Sequence, residues 1–127
     1  MQQNHNKILV ELINKTNSQN SKKFFKELDL NVKKIIGHKL FTLMVVDKSL
    51  KYVERVYSSN IKAYPLLGTK PIPKNGWTKK VVLNKKNFLG KDMKTIKKLF
   101  FDHEVISSLD CGSIINIPVI NNNIILG

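Results

Sequence analysis

The last seventeen residues of this chain limit its possible folds more than any other segment. Residues 114–120 are rich in β-branched side chains, three asparagines follow, and a second β-branched run begins at Ile124. Asparagine tolerates positive φ and hydrogen-bonds its own backbone, so the two runs predict an antiparallel hairpin around an Asn turn. Because the second run stops at Gly127, we expect an element that is cut short.

Length and composition predict one domain of ordinary globular character. The chain has 127 residues, of which 42% are hydrophobic, and no apolar run approaches the roughly 20 residues that a membrane span needs. Its first residues lack the pattern of a secretory signal. Cys111 is the single cysteine, which argues against a disulfide framework and favours a reducing compartment. We therefore predict a soluble, cytoplasmic protein with no membrane partner.

The formal net charge of +13 invites a nucleic-acid interpretation, which the residue types do not favour. Arg55 is the sole arginine among 22 basic residues, whereas specific contacts to bases and phosphates depend on the bidentate guanidinium. The lysines are spread along the chain and indicate solvated faces. A weak, lysine-driven nucleic-acid binder stays open as an alternative.

Two organisational units are predicted. Residues 1–20 form an N-terminal helical extension with one apolar stripe at helical spacing, and residues 21–127 form the main domain. The stripe consists of Ile8, Leu9, Leu12 and Ile13. It either packs under the sheet or joins a second copy; we favour a homodimer through the N-terminal helices.

The main domain is predicted to be α+β on an antiparallel sheet, since its neighbouring strands are joined by turns too short for parallel crossovers. A helix with Ser21 as its N-cap runs to about Ile36, strands run over 41–47 and 52–58, and a proline-rich loop runs over 59–74. A short helix over 76–83, a brief strand at 88–89, a helix capped by Asp92 that runs to about Phe101, and the closing hairpin follow.

Three patterns in this order resemble the GAF domain, a family of small-molecule sensor modules. They are the helix, Gly37 and the apolar strand 40–47; the Gly-led helix 76–83 with the strand after it; and residues 113–127 with their hairpin. The resemblance implies an antiparallel sheet of about five to six strands, with N-terminal helices on one face and a ligand pocket on the other. It also implies that the final strand lies beside the first, and that part of this strand and a C-terminal helix are missing here. The sequence is therefore expected to be a fragment, or another chain supplies the strand.

The resemblance places the pocket between one sheet face and the segments that join the second to the fifth strands. The ligand-binding residues that this implies combine aromatic walls with hydroxyl, amide and acid–base groups. They are Tyr57, Ser58, Asn60, Tyr64, Trp77, Phe88, Asp102, His103, Ser113 and Asn116. Core packing is an equal alternative for Tyr57, Trp77 and Phe88, and helix capping is an alternative for His103. Asn116, inside a β-branched strand, requires a partner if it is buried.

Reactive chemistry has little support in the sequence. Cys111 is a candidate redox residue, but it follows Asp110 and has no second cysteine to resolve a sulfenic acid. The scattered His5, His38 and His103 predict no metal site, and no cofactor or phosphate loop is indicated. The predicted function is a GAF-type sensor domain that binds an unidentified small molecule without catalysis and signals through a partner. A thiol-dependent redox enzyme of the GAF fold is the alternative.

Overall fold

The computed structural model describes residues 21–66 and 68–127. The predicted extension over residues 1–20, with the stripe proposed for dimerisation, lies outside these residues. None of the helices in the described part of the chain has both the length and the apolar character needed to cross a membrane.

Helix α1 spans Ser21–Ile36, so it ends where the sequence predicts and includes the predicted N-cap, Ser21, as its first residue. It ends at Gly37, which adopts a φ of 73° and donates its backbone N–H to the Lys33 carbonyl at 2.8 Å, the geometry that glycine permits at a helix terminus. The helical spacing of its apolar residues predicts a buried face that includes Ile35 and Ile36, and this is wrong at the last turn, where they are 40% and 66% exposed. Asp29, at 7% exposure, is instead the residue that is buried among residues 22–36 of this helix.

Three strands form the first sheet in the order β1, β2, β3. Strand β1 spans Thr42–Val46, β2 spans Tyr52–Ser58 and β3 spans Thr69–Pro71, and both pairings are antiparallel. Strand β3 falls in the segment predicted to be a loop on account of its prolines. It lies at the sheet edge, where proline costs no ladder hydrogen bond.

Helix α2 begins at Gly76, spans Gly76–Thr78 and continues as a π-helical segment over Lys79–Leu83. The Asn75 side chain caps it by accepting from the Thr78 N–H at 3.1 Å. Helix α3 spans Met93–Leu99 and is capped by Asp92, which accepts from the Thr95 N–H at 2.8 Å. A further helix that the sequence did not reveal, α4, spans His103–Ser108 and buries Ile106.

Four short strands complete the fold in two sheets. Strand β4, Phe88–Gly90, pairs with β5, Ile114–Asn116; β6, Ile120–Asn121, pairs with β7, Ile124–Ile125. Both turn residues between β6 and β7, Asn122 and Asn123, have positive φ, of 49° and 62°. This is the I′-type turn that matches the twist of a hairpin, so the predicted Asn turn forms.

The α+β class and the antiparallel pairing are thus confirmed, and the single sheet of about five to six strands is wrong. The described strands fall into sheets of three, two and two. Pro118 lies between β5 and β6 and has no N–H to donate, which interrupts the ladder there. The hairpin still meets the first sheet, because the Val46 N–H donates to the Leu126 carbonyl at 2.9 Å.

The core lies between the loop after β2 and the helices α3 and α4. Its buried centre is Tyr64, Ile96 and Ile106, with Ile96 fully buried. These three residues hold α3, α4 and the loop as one unit, and this unit forms a wall of the cavity described next.

Candidate functional site

A cavity of about 1080 Å³ lies between the first sheet and the helical half of the molecule. Met44, Val53 and Arg55 line it from β1 and β2, and Trp77 and Asn116 line it from α2 and β5. Residues at the start of α4 and the end of α1 complete the wall. The volume suits a ligand of metabolite or cofactor size.

A β-bulge decides which side chains of β2 face the cavity. Leu43 pairs with Tyr57 and Met44 pairs with Arg55, so Val56 is an extra residue without a partner on β1. Strict alternation would put Arg55 and Tyr57 on one face, but the extra residue inverts the pattern between them. Arg55 therefore lines the cavity while Tyr57 contacts α1 on the other face.

The Arg55 side chain is half-buried and is held by two neighbours. One Nη1–H donates to the Pro65 carbonyl at 3.2 Å, and the guanidinium carbon lies 4.8 Å from the centre of the Tyr64 ring. The Nε–H is shielded from solvent and has no hydrogen-bond partner among the described residues. A planar cation is thus positioned by a carbonyl and an aromatic face, neither of which neutralises its charge.

Tyr64 links this cation to the turn between α3 and α4. Its hydroxyl donates to Asp102 Oδ2 at 2.6 Å. Burial raises the pKa of Tyr64 well above its usual value, and the hydrogen bond to the Asp102 carboxylate raises that pKa further. Tyr64 therefore stays a neutral donor, and the Asp102 carboxylate is engaged by it.

A second polar group joins α1 to the sheet. The buried Asp29 carboxylate accepts from the Tyr57 hydroxyl at 2.7 Å, and its other oxygen lies 2.6 Å from His38 Nε2. Burial, followed by the hydrogen bond to Asp29, raises the pKa of Tyr57 to about 12. His38 lines the cavity, and its buried Nδ1 has no hydrogen-bond partner among the described residues.

Trp77 contributes to both core packing and the cavity wall. Its indole Nε1–H donates to Asn116 Oδ1 at 3.0 Å, and its ring packs edge-on against Phe100 at 6.3 Å between centroids. Asn116 was expected to need a partner, and that partner is the indole. Trp77 therefore packs against Phe100 and also lines the cavity.

Six of the ten residues predicted to bind a ligand line this cavity. They are Tyr64, Trp77, Asp102, His103, Ser113 and Asn116. Among the other four, Tyr57 is turned away by the bulge, and Phe88 is buried and packs edge-on against Phe100 at 5.9 Å.

The remaining two predicted residues stabilise the turn after β2. Ser58 is buried and its hydroxyl accepts from the Asn60 N–H at 3.2 Å. Asn60 in turn accepts from the Ala63 N–H at 3.0 Å through its side chain. Both are absent from the residues that line the cavity.

Cys111 also lines the cavity and is half-buried. Its thiol lies 3.8 Å from the Leu109 carbonyl oxygen. The neighbouring Asp110 carboxylate is paired with Lys39 at 2.9 Å, and this interaction holds the pKa of Asp110 below its usual value. The chain has no second cysteine with which this thiol could form an internal disulfide. Within the described ranges, no group of three His, Cys, Asp or Glu side chains could hold a metal ion.

Sequence reasoning missed Arg55 and His38 as residues of the cavity. A signal existed for Arg55, since a lone arginine in a chain of lysines occupies an inner position of a strand. No comparable signal existed for His38, because its position depends on Asp29 across the end of α1. Comparison of the chain with protein-family models, curated proteins and solved structures finds no match in any of the three.

Proposed function

We propose that this chain is a GAF-type sensor domain that binds a small molecule in the cavity beside Trp77, without catalysis, and signals through a partner. The observation that carries the proposal is the cavity itself. It is large enough for a metabolite and is lined by an indole, a half-buried guanidinium and a few amide and hydroxyl groups. Apolar walls with sparse, oriented polar groups are typical of ligand sites in proteins.

Two features of the fold support the GAF assignment. Helix α1 lies against one face of the first sheet, with the Phe25 and Tyr57 rings 6.3 Å apart, and the cavity lies on the face that carries Arg55. The end of the closing hairpin hydrogen-bonds the edge of β1 at Val46, which brings the last strand segment beside the first strand.

The Asp102 and Asp29 carboxylates are hydrogen-bonded to protein side chains, which favours binding over catalysis. The Asp102 carboxylate accepts from Tyr64, and the Asp29 carboxylate accepts from Tyr57 beside His38. A general base has to reach a substrate proton, and both carboxylates already accept hydrogen bonds from tyrosine hydroxyls. The homodimer through the N-terminal helices belongs to the same proposal.

Ligand binding can be measured through Trp77, which is the single tryptophan of the chain and lies in the cavity wall. Nucleotides, aromatic acids and amino-acid derivatives are titrated while tryptophan emission and the melting temperature are followed. A compound that occupies the cavity should change both, since a ligand that binds the native state alone raises its stability.

A matched pair of variants locates the binding. Val53 lines the cavity from β2, whereas Val45 of β1 is 47% exposed and does not line it. Val53→Phe should abolish the ligand-induced change, and Val45→Phe, the same substitution in the same sheet, should preserve it. The proposal fails if no compound changes either signal, or if both variants bind like the wild type.

The redox alternative has one supporting observation, which is that Cys111 shares the cavity wall. Cys111→Ser separates the two functions. The sensor proposal expects unchanged binding in this variant, whereas a thiol enzyme expects loss of turnover in an assay with a peroxide or sulfoxide substrate and an added thiol reductant.

A further inference from the structure

Positive charge is in excess around the cavity. Five cationic side chains line it against two carboxylates, so the lining carries three more positive than negative charges when its histidines are neutral. The cations are Lys39, Arg55, Lys70, Lys97 and Lys98, and the carboxylates are Asp102 and Asp110. A concave surface lined mainly by one sign of charge concentrates ligands of the opposite sign.

The two carboxylates neutralise little of the positive charge inside the cavity. Asp110 pairs with Lys39 at the rim, where these side chains are 97% and 54% exposed. Asp102 accepts from the Tyr64 hydroxyl. Lys70, Lys97 and Lys98 take part in no ion pair within residues 21–66 and 68–127.

Arg55 is the cation best positioned to hold an anion. Its recorded neighbours, the Pro65 carbonyl and the Tyr64 ring, orient the guanidinium without supplying a full negative charge. Arg55 forms no ion pair within the part of the chain that the structure describes, and a half-buried cation without a counter-ion is costly. The guanidinium geometry matches a carboxylate. A bound carboxylate would supply the charge that the site lacks.

The apolar residues of the wall favour a ligand whose uncharged part is apolar. Trp77, Phe100, Leu40 and Ile106 present aromatic and aliphatic surface to the same cavity. We infer that the cavity takes a small organic carboxylate with an apolar body, its carboxylate on Arg55 and its body against the Trp77 side. This inference rests on the proposed function and names the chemical class of its ligand.

The test compares acids with their uncharged amides, which share their shape. Phenylacetate and hexanoate are titrated against phenylacetamide and hexanamide while the emission of Trp77 is followed. The acids should bind at least about tenfold more tightly than the amides, the size expected for a charge-assisted contact. Raising the ionic strength should weaken the acids and leave the amides unchanged.

Three variants assign the preference to Arg55. Arg55→Gln should remove the preference for acids, while Arg55→Lys should retain part of it, since lysine keeps the charge and loses the planar fork. Lys86→Gln is the control, because Lys86 is exposed and does not line the cavity. If Arg55→Gln fails to fold, the inference is tested by the salt dependence of acid binding in the wild type and by the partial loss of the acid preference in Arg55→Lys.

Each outcome decides a separate point. Equal binding of acids and amides overturns the carboxylate inference and leaves the proposed function intact. A preference for acids that survives in Arg55→Gln overturns the role of Arg55. If no compound, including the wider metabolite panel, changes either the Trp77 emission or the melting temperature, both the inference and the proposed function are overturned.

Discussion

The Trp77 indole and the Asn116 carboxamide are joined by a hydrogen bond of 3.0 Å across 39 residues of sequence. The bond ties the start of α2 to the end of β5 at the cavity wall. Asparagine is costly inside a strand when it is unpaired, and an indole N–H needs an acceptor when it is removed from water. Each residue therefore supplies what the other requires at this point of the cavity wall.

A double-mutant cycle measures this pairing. Asn116→Ala leaves the indole N–H without its acceptor and should lower the free energy of unfolding by about 1–3 kcal/mol. Trp77→Phe should also be destabilising, and the double variant should lose about 1 kcal/mol less than the sum of the two single losses. Urea unfolding followed by circular dichroism gives the three values. Strictly additive losses would show that the hydrogen bond contributes nothing.

Asp29 is expected to be the most sensitive acidic residue of α1. It is 7% exposed and accepts from Tyr57 while lying 2.6 Å from His38. Asp29→Ala leaves both partners without their acceptor and should cost about 2–4 kcal/mol of unfolding free energy. Glu104→Ala, at an exposed acid of α4, is the control and should change stability by less than about 0.5 kcal/mol. Similar losses in the two variants would indicate a general charge effect.

The titration of Tyr57 is expected to lower the stability of the folded protein at alkaline pH. Its pKa is raised from 10.0 to about 12 in the folded state, by burial first and then by the hydrogen bond to Asp29. Above pH 10 the unfolded chain loses this proton while the folded chain keeps it. The stabilisation is therefore fully present below pH 10 and is lost as the pH rises through about 12.

Thermal unfolding at several pH values from neutral upward tests this dependence. The melting temperature of Tyr57→Phe should fall less steeply with pH above pH 10 than that of the wild type, because the variant lacks the titrating phenol. Tyr52→Phe is the control, since Tyr52 lies in the same strand and is 46% exposed. It should keep the slope of the wild type. Equal slopes in all three proteins would contradict the prediction.

Gly90 is predicted to tolerate no side chain. A Cβ at this position would lie 2.8 Å from Ile114 Cγ2 and 3.3 Å from Ile96 Cγ1, which are atoms of stiff, β-branched side chains. Gly90→Ala should therefore destabilise by about 1–3 kcal/mol through overpacking. Gly112→Ala, where a Cβ would meet nothing within 4 Å, should lie within about 0.5 kcal/mol of the wild type. Chemical denaturation of both variants compares the two sites directly.

Local signals in the sequence predicted several elements well. The polar stretch before residue 21 and the glycine at 37 flank α1, and the observed helix begins within one residue of the predicted start and ends as predicted. Asp92 caps α3 as expected. The Asn pair of the closing turn adopts positive φ. In each case the cause lies in side chains close in sequence, so a single chain segment contains the needed information.

Two elements were missed because their cause is not local. Helix α4 carries β-branched residues and serines, which favour other conformations, and it forms where Ile106 is buried against Tyr64 and Ile96. Strand β3 contains a proline and forms because β2 offers an edge for it. Tertiary contacts outweigh weak local preferences at both places.

The sequence by itself therefore determined the α+β class, the main helices and the closing turn. The tertiary structure alone decided that Arg55 lines the cavity and Tyr57 does not. Strand residues alternate between faces with a period of two, and one extra residue at Val56 exchanges the faces of all that follow. Such a bulge depends on how two strands pair, and the residues of one strand alone do not indicate that pairing.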